Sequence, residues 1–86
     1  MITKNIKVEI ASGTDARATA MIVQIASQYK SSIHVISGEK KFNAKSIMGM
    51  MTLGIKSGEE LVITADGEDA ESAIEGITSF LTKNNE

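Results

Sequence analysis

Apolar and polar positions along the chain follow two periods, and the first is the two-residue period of β-strands. Ile6, Val8 and Ile10 alternate with polar residues, which predicts a strand with one buried face. Three further strands are predicted: one around Ile33 and Val35, one through Phe42 after the turn Ser37-Gly38-Glu39, and one from Leu61 to Ala65 before the turn Asp66-Gly67. The strands on either side of Gly38 form a predicted hairpin.

The second period is the helical one, and it appears in three segments. Ala16 to Tyr29 is predicted to be a helix, because apolar residues recur along one side of it. Ser46 to Leu53 predicts a short helix, and a last helix is predicted to begin at Asp69. The apolar positions that define the two longer helices are Ala18, Ile22, Ile25, Ala26 and Tyr29 in the first, and Ala70, Ala73, Ile74, Ile77 and Leu81 in the last.

The order of these elements, β-α-β-β-α-β-α, predicts an α+β fold. We expect an open-faced sandwich, in which a four-stranded antiparallel sheet carries three helices on one face. The chain has no proline, and its 86 residues are enough for one modest core and too few for two. Residues 1–86 are therefore predicted to form a single domain, without linkers or internal repeats.

Composition narrows the classes of function. The chain has no cysteine, so it has no disulfide and no thiolate ligand or nucleophile, and nothing indicates an oxidising compartment. No apolar run is long enough to span a bilayer, and the first residues lack a signal peptide's apolar stretch. The net charge of −2, with interspersed signs, provides no basic surface for direct nucleic-acid binding. We expect a cytoplasmic protein that acts through protein partners.

Residue chemistry gives no arrangement for catalysis. His34 is the only histidine, and it lies in a predicted strand without a partner nucleophile at a motif spacing. Gly49, Gly54 and Gly58 are too dispersed for a phosphate-binding loop. The chain is therefore predicted not to be an enzyme, and to need neither a cofactor nor a metal.

Ser46 is the most informative single residue. Serine is a favoured N-cap, because its hydroxyl accepts a hydrogen bond from an amide in the first helical turn. Ser46 can therefore be a structural cap alone. It is also well placed for phosphorylation, since a phosphate there would lie beside the positive end of the helix dipole and beside Lys45.

The helix after Ser46 carries more apolar residues than it can bury. Met50 and Leu53 have the spacing to face the core, which leaves Ile47, Met48 and Met51 for a more exposed patch or, alternatively, for the core of a short helix. In the preceding helix, four residues lie off the buried stripe and are predicted to be exposed: Ala16, Arg17, Ala20 and Gln24. The guanidinium of Arg17 suits a phosphate or a partner's carboxylate, or is a solvated surface charge.

Two segments resemble the HPr family, the small phosphocarriers of the bacterial sugar phosphotransferase system. Asn43-Ala44-Lys45-Ser46-Ile47-Met48-Gly49-Met50-Met51 resembles the segment in which HPr proteins are phosphorylated on serine. Ser12-Gly13-Thr14-Asp15-Ala16-Arg17-Ala18-Thr19-Ala20 aligns with the active-site loop, which usually reads Gly-Ile-His-Ala-Arg-Pro-Ala. Asp15 takes the place of the phosphate-accepting histidine, and Ala18 takes the place of the proline. The resemblance spans essentially the whole chain.

A chain that keeps the serine and lacks the histidine is similar to the Crh branch of this family. The resemblance implies that HPr kinase/phosphorylase phosphorylates Ser46 with ATP, and that the product is a corepressor of catabolite control protein A. A carboxylate cannot replace the imidazole nucleophile, so Asp15 is predicted to close the phosphocarrier pathway. Aspartate is also a favoured N-cap residue, so Asp15 is predicted to cap a helix. The partner surface implied is Asp15, Ala16, Arg17, Ala20, Gln24, Lys45, Ile47, Met48 and Met51.

Alternatives to this interpretation stay open at the level of sequence. Crh proteins commonly have glutamine in place of Asp15 and keep the proline, so Thr14, Asp15 and Ala18 depart from both branches. An atypical or engineered phosphocarrier is one alternative, and a scaffolding HPr-like domain with Ser46 only as a cap is another. A homodimer is compatible with the sequence.

Overall fold

The computed structural model describes residues 1–9, 15–55 and 57–82, and for residues 15 and 16 it describes the backbone alone. The predicted element order is confirmed. The strands and helices are β1 (Ile2–Lys7), α1 (Asp15–Ser27), β2 (Ser32–Ser37), β3 (Lys40–Asn43), α2 (Ile47–Leu53), β4 (Glu60–Asp66) and α3 (Ala70–Leu81). In this part of the chain no helix is long and apolar enough to cross a membrane.

The four strands form one antiparallel sheet in the order β1-β4-β2-β3. Strand β4 lies between β1 and β2. Val62 of β4 is opposite Asn5 of β1 on one side and opposite Ile36 of β2 on the other. The hairpin of β2 and β3 turns at Gly38, where φ is +63°, a backbone conformation that glycine adopts without strain. The last strand in the sequence is thus a central strand, and β1 and β3 are the edges.

One face of the sheet forms the core. Alternate residues of the two central strands, Ile33 and Val35 in β2 and Leu61 and Ile63 in β4, are buried there. Helix α3 lies against β1, β4 and β2 and adds its own buried stripe, while α1 packs on α3 and α2. The residues of β2 that alternate with Ile33 and Val35, such as His34, lie on the other face of the sheet and stay partly exposed. The predicted α+β open-faced sandwich is confirmed.

Helix α1 begins one residue earlier than predicted, at Asp15, and α3 begins one residue later, at Ala70. Strand β1 and helix α1 both end earlier than predicted. Strand β1 ends at Lys7, yet Val8 is fully buried and its N–H donates to the carbonyl of Glu59 (2.8 Å). Ile10, predicted to continue this strand, lies outside the described residues. Helix α1 ends at Ser27 instead of Tyr29, because the N–H of Tyr29 reaches only three residues back, to the carbonyl of Ala26 (3.2 Å).

Asp69 holds the start of α3 against the segment that precedes β2. It occupies the N-cap position, but its carboxylate makes no capping bond within its own helix. One carboxylate oxygen accepts from the N–H of Lys30 (2.8 Å), and the other accepts from both the N–H (2.9 Å) and the hydroxyl of buried Ser31. The hydroxyl of Ser31 and the N–H of Lys30 lower the pKa of Asp69 from its usual value of 3.8, since they stabilise the charged form.

Candidate functional site

Ser46 is the N-cap of α2, as predicted. Its backbone is extended (φ −103°, ψ 111°), and its Oγ accepts a hydrogen bond from the N–H of Gly49 (3.2 Å). Its carbonyl accepts the first intrahelical bond, from the N–H of Met50 (2.9 Å). The structural part of the Ser46 prediction is therefore confirmed.

Helix α2 is short because both of its ends are fixed locally. Ser46 begins it, and Gly54 ends it in the left-handed conformation, with φ 65° and its N–H donating to the carbonyl of Met50 (3.3 Å). The helix has seven residues, so only one narrow side can face the core. The side chain of Met50 fills that side and is fully buried, whereas Leu53 is half-buried at its margin.

The remaining apolar side chains of α2 face solvent. Ile47 is 43% exposed, Met48 77% and Met51 62%, whereas Met50 is 0% exposed. This distribution confirms the predicted division of the helix into a core side and an exposed side. We call the three residues Ile47, Met48 and Met51 the α2 patch. Large apolar side chains exposed together on one element are a common mark of a contact surface.

Helix α1 packs against α2 and exposes polar and small residues to solvent. Arg17, Ala20 and Gln24 are exposed, as the helical spacing predicts, and α1 packs against α2. Met21 is also exposed, and the spacing argument missed it. The side chains of Asp15 and Ala16 lie outside the described residues, as does Thr14, so their placement stays a prediction.

Lys45 has a role that sequence reasoning missed. Its ammonium, which the sequence placed beside Ser46, donates to the carbonyl of Tyr29 (2.7 Å), just beyond the C-terminal end of α1. A cation there complements the negative end of the helix dipole. The backbone N–H of Lys45 also donates to the side-chain oxygen of Asn43 (2.9 Å). Lys45 thus joins the end of α1 to the start of α2 and holds Ser46 close to both helices.

His34, the only histidine of the sequence, lies in the sheet between two neighbouring strands. His34 is half-buried in β2 and faces Thr64 on one neighbouring strand and Asn43 on the other. Within residues 1–9, 15–55 and 57–82, no group of three His, Asp or Glu side chains is positioned to hold a metal ion. The described chain therefore presents a helix-capping serine on the same short helix as three exposed apolar side chains.

Comparison with known proteins identifies the class to which this fold and site belong. A family model described as the PTS HPr component phosphorylation site matches residues 2–83, and the chain belongs to this HPr family. Among curated relatives, the HPr-like protein Crh of Halalkalibacterium halodurans is 39% identical over 83 residues, which cover 96% of this chain and 99% of the relative.

Solved structures agree with this assignment. The phosphocarrier protein HPr of Bacillus anthracis superposes with a TM-score of 0.88 at 37% identity, over 94% of this chain and 96% of that one. Crh of Bacillus subtilis, described as a domain-swapped dimer, superposes with a TM-score of 0.72 at 36% identity, over 94% and 93% of the two chains. The resemblance to the HPr family and to Crh is confirmed, and these relatives support a regulatory HPr-like protein.

Proposed function

We propose that the chain is a regulatory protein that HPr kinase/phosphorylase phosphorylates on Ser46 with ATP, and that its phosphorylated form binds catabolite control protein A as a corepressor. The observation that carries this proposal is the position of Ser46, whose hydroxyl caps α2 directly beside the exposed α2 patch. The chain is a substrate and a ligand in this proposal, not an enzyme, and it acts in the cytoplasm.

A phosphate on Ser46 adds a signal without requiring a new fold. It brings about −1.5 to −2 charges to the first turn of α2, where the free amides and the helix dipole favour negative charge. A partner then gains charge-assisted hydrogen bonds to the phosphate oxygens. Unmodified chain lacks these bonds, so the partner distinguishes the two forms.

Apolar contact completes the proposed interface. Met48 and Met51 are flexible and exposed, and such side chains adapt to the surface of a partner. On α1, Arg17 supplies a guanidinium for a partner's carboxylate, and Ala20 and Gln24 extend the surface. Asp15, Ala16 and Lys45 complete the proposed partner surface, and Asp15, which cannot act as the imidazole does, closes the phosphocarrier pathway.

Intact mass spectrometry with site mapping tests the modification. Incubation with ATP and HPr kinase/phosphorylase is expected to add one phosphate to wild type, on Ser46, and none to Ser46→Ala. Incubation with phosphoenolpyruvate and enzyme I is expected to add none. Phosphate from phosphoenolpyruvate on Asp15 or His34 would instead establish a phosphocarrier, and no modification in either reaction would leave Ser46 as a structural cap.

Calorimetric titration with catabolite control protein A tests the second step. Phosphorylated wild type is expected to bind more tightly than unmodified wild type, and Ser46→Ala treated with kinase is expected to bind no better than the unmodified form. Equal affinities of phosphorylated and unmodified wild type would refute the corepressor role while leaving the modification in place.

We further propose a homodimer as one assembly of this chain. One support is the dimer described for Crh of Bacillus subtilis. The other is that β1 and β3 are edge strands, each with a neighbouring strand on one side only, so their free edges can pair with another chain. Sedimentation equilibrium is expected to give a mass of twice 9.2 kDa in part of the sample. A single species of monomer mass at high protein concentration would refute this assembly.

A further inference from the structure

Gly49 occupies the third position of α2, where glycine is a costly choice. Glycine and proline are the least favourable residues in a helix interior, since glycine loses the most backbone freedom on folding. Gly49 does not belong to the glycines of the described chain that have positive φ, which are Gly38, Gly54, Gly58 and Gly67. Backbone conformation therefore gives no reason for glycine at this position.

Packing in the unmodified chain gives no reason either, because in the described part of the chain an added Cβ would meet only Ser46, at ordinary van der Waals distances. A Cβ built at position 49 would lie 3.4 Å from Oγ of Ser46 and 3.7 Å from its Cβ. Among the described residues, no other atom comes within 4 Å, apart from the chain neighbours of Gly49 and the nearby backbone of its own helix. By contrast, a Cβ at Gly76 would lie 2.7 Å from the hydroxyl oxygen of Tyr29. The space that glycine leaves open at position 49 is thus space beside the Ser46 hydroxyl.

One hydrogen bond holds that hydroxyl beside position 49, and a second satisfies the backbone N–H of Ser46. The N–H of Gly49 donates to Oγ of Ser46, and the N–H of Ser46 donates to the carbonyl of Asn43 (3.0 Å). In a capping box, a glutamate or glutamine at the third helical position would bond the N–H of the capping residue. That N–H is already satisfied here, so the cap needs no side chain at position 49.

We propose that Gly49 is a positioning residue that leaves room for a phosphoryl group on Ser46. This inference rests on the proposed function of Ser46. In the transfer, Oγ forms a bond to the γ-phosphorus of ATP, the bond from that phosphorus to ADP breaks, and the hydroxyl proton passes to a base of the kinase. The phosphate oxygens extend beyond the position of the lost proton, into space that a methyl group at position 49 would narrow.

A thermal comparison of four proteins tests the clearance without any kinase. Phosphoserine is installed at position 46 during translation, in wild type and in Gly49→Ala, and melting is followed by circular dichroism with and without it. Unmodified Gly49→Ala is expected to melt about 2–6 °C above wild type, because alanine favours the helix. Phosphoserine changes the Tm of each protein, and this change is expected to be about 2–6 °C more negative in Gly49→Ala than in wild type.

Thr52→Ala is the matched control for that comparison. Thr52 is exposed on the same helix, and its hydroxyl donates to the carbonyl of Met48 (3.1 Å), within the helix itself. Phosphoserine is expected to change the Tm of Thr52→Ala as it changes that of wild type. An equal effect of phosphoserine in wild type and Gly49→Ala would overturn the clearance role, whatever the substitution does to the unmodified chain.

Kinetics with HPr kinase/phosphorylase separate this inference from the proposed function. Gly49→Ala is expected to lower kcat/KM for phosphorylation of Ser46 about tenfold, and Thr52→Ala to leave it unchanged. Equal rates for wild type and Gly49→Ala would overturn the clearance role while leaving the proposed function intact. A further outcome is that the kinase fails to modify wild type while phosphoserine still lowers the Tm of Gly49→Ala more than that of wild type. That pair of results would refute the proposed function and support the clearance role of Gly49.

Discussion

The hydroxyl of Ser46 stabilises the fold before any modification takes place. It satisfies an amide of the first turn of α2, which has no partner within its own helix. In the proposed function, the same oxygen atom of Ser46 caps the helix and carries the phosphate. Substitutions at this position therefore need a stability measurement beside every binding measurement.

Ser46→Ala is expected to lower the free energy of unfolding by about 1 kcal/mol, because the cap is lost. Urea unfolding followed by circular dichroism measures this change. Ser79→Ala is the control, since Ser79 is exposed within α3 and caps no helix. A loss no larger than that of Ser79→Ala would contradict the capping role.

Asp69 gives the fold a defined response to acid. Its pKa is lowered chiefly by the Ser31 hydroxyl and also by the N–H of Lys30, so the unfolded chain takes up a proton at a higher pH than the folded chain does. The stabilisation is fully present above about pH 4, near the pKa of an unperturbed aspartate, and is lost as the pH falls through the lower folded-state pKa.

Asp69→Asn is expected to be less stable than wild type at pH 7, with a difference that narrows as the pH falls below about 4. Urea unfolding at several pH values between 2 and 7 measures both curves. Ser31→Ala removes the largest cause of the shift and is expected to give an intermediate curve. Parallel curves for wild type and Asp69→Asn across this range would contradict the prediction.

At the scale of the element, α2 has one side in the core and another side that is exposed to solvent. Its seven residues bring Met48 to solvent and Met50 into the core, two positions apart in the chain. Methionine is thus exposed at position 48 and buried at position 50 of one helix, so the alanine substitutions of Met48 and Met50 can be compared directly.

Met50→Ala is expected to cost about 2–5 kcal/mol of unfolding free energy, because it leaves a cavity in the core. Met48→Ala is expected to change stability by less than about 0.5 kcal/mol, as exposed substitutions do. Met48→Ala should nevertheless weaken binding of the phosphorylated chain to catabolite control protein A. Urea unfolding and calorimetry measure the two effects, and an unchanged Kd for Met48→Ala would remove this side chain from the proposed interface.

At the scale of the whole molecule, the proposed signal lies at the margin of a closed core. Buried apolar residues of all three helices and of β1, β2 and β4 form that core, and Phe42 of β3 packs against it. Ser46 lies at the start of α2 and makes its cap bond locally. Tight packing resists small changes at the surface. We therefore expect phosphorylation to alter the surface near α2 and to leave the sheet unchanged.

Amide chemical shifts of ¹⁵N-labelled protein measure this expectation. Phosphorylation of Ser46 should shift the amides of α2 and of the adjoining end of β3, with little change in β4. The Ser46→Ala chain treated in parallel is the control for non-specific effects of the reaction. Large shifts throughout β4 would indicate remodelling of the fold and contradict the prediction.

Sequence alone determined the features that depend on near neighbours in the chain. The strand and helix periods, the cap at Ser46 and the exposure of Met48 and Met51 follow from side-chain spacing within a few residues. The family resemblance pointed to the candidate surface as well. The partner roles assigned to Asp15, Ala16 and the rest of that surface stay predictions.

Only the tertiary structure decided the features that join distant parts of the chain. The central position of β4, the bond from Lys45 to the carbonyl of Tyr29 and the bonds from Ser31 to Asp69 connect residues 16 or more positions apart. No local period encodes such pairs, because their geometry exists only once the helices have packed on the sheet. Sequence therefore determined the elements and the capping serine, whereas the packing decided how they are held together.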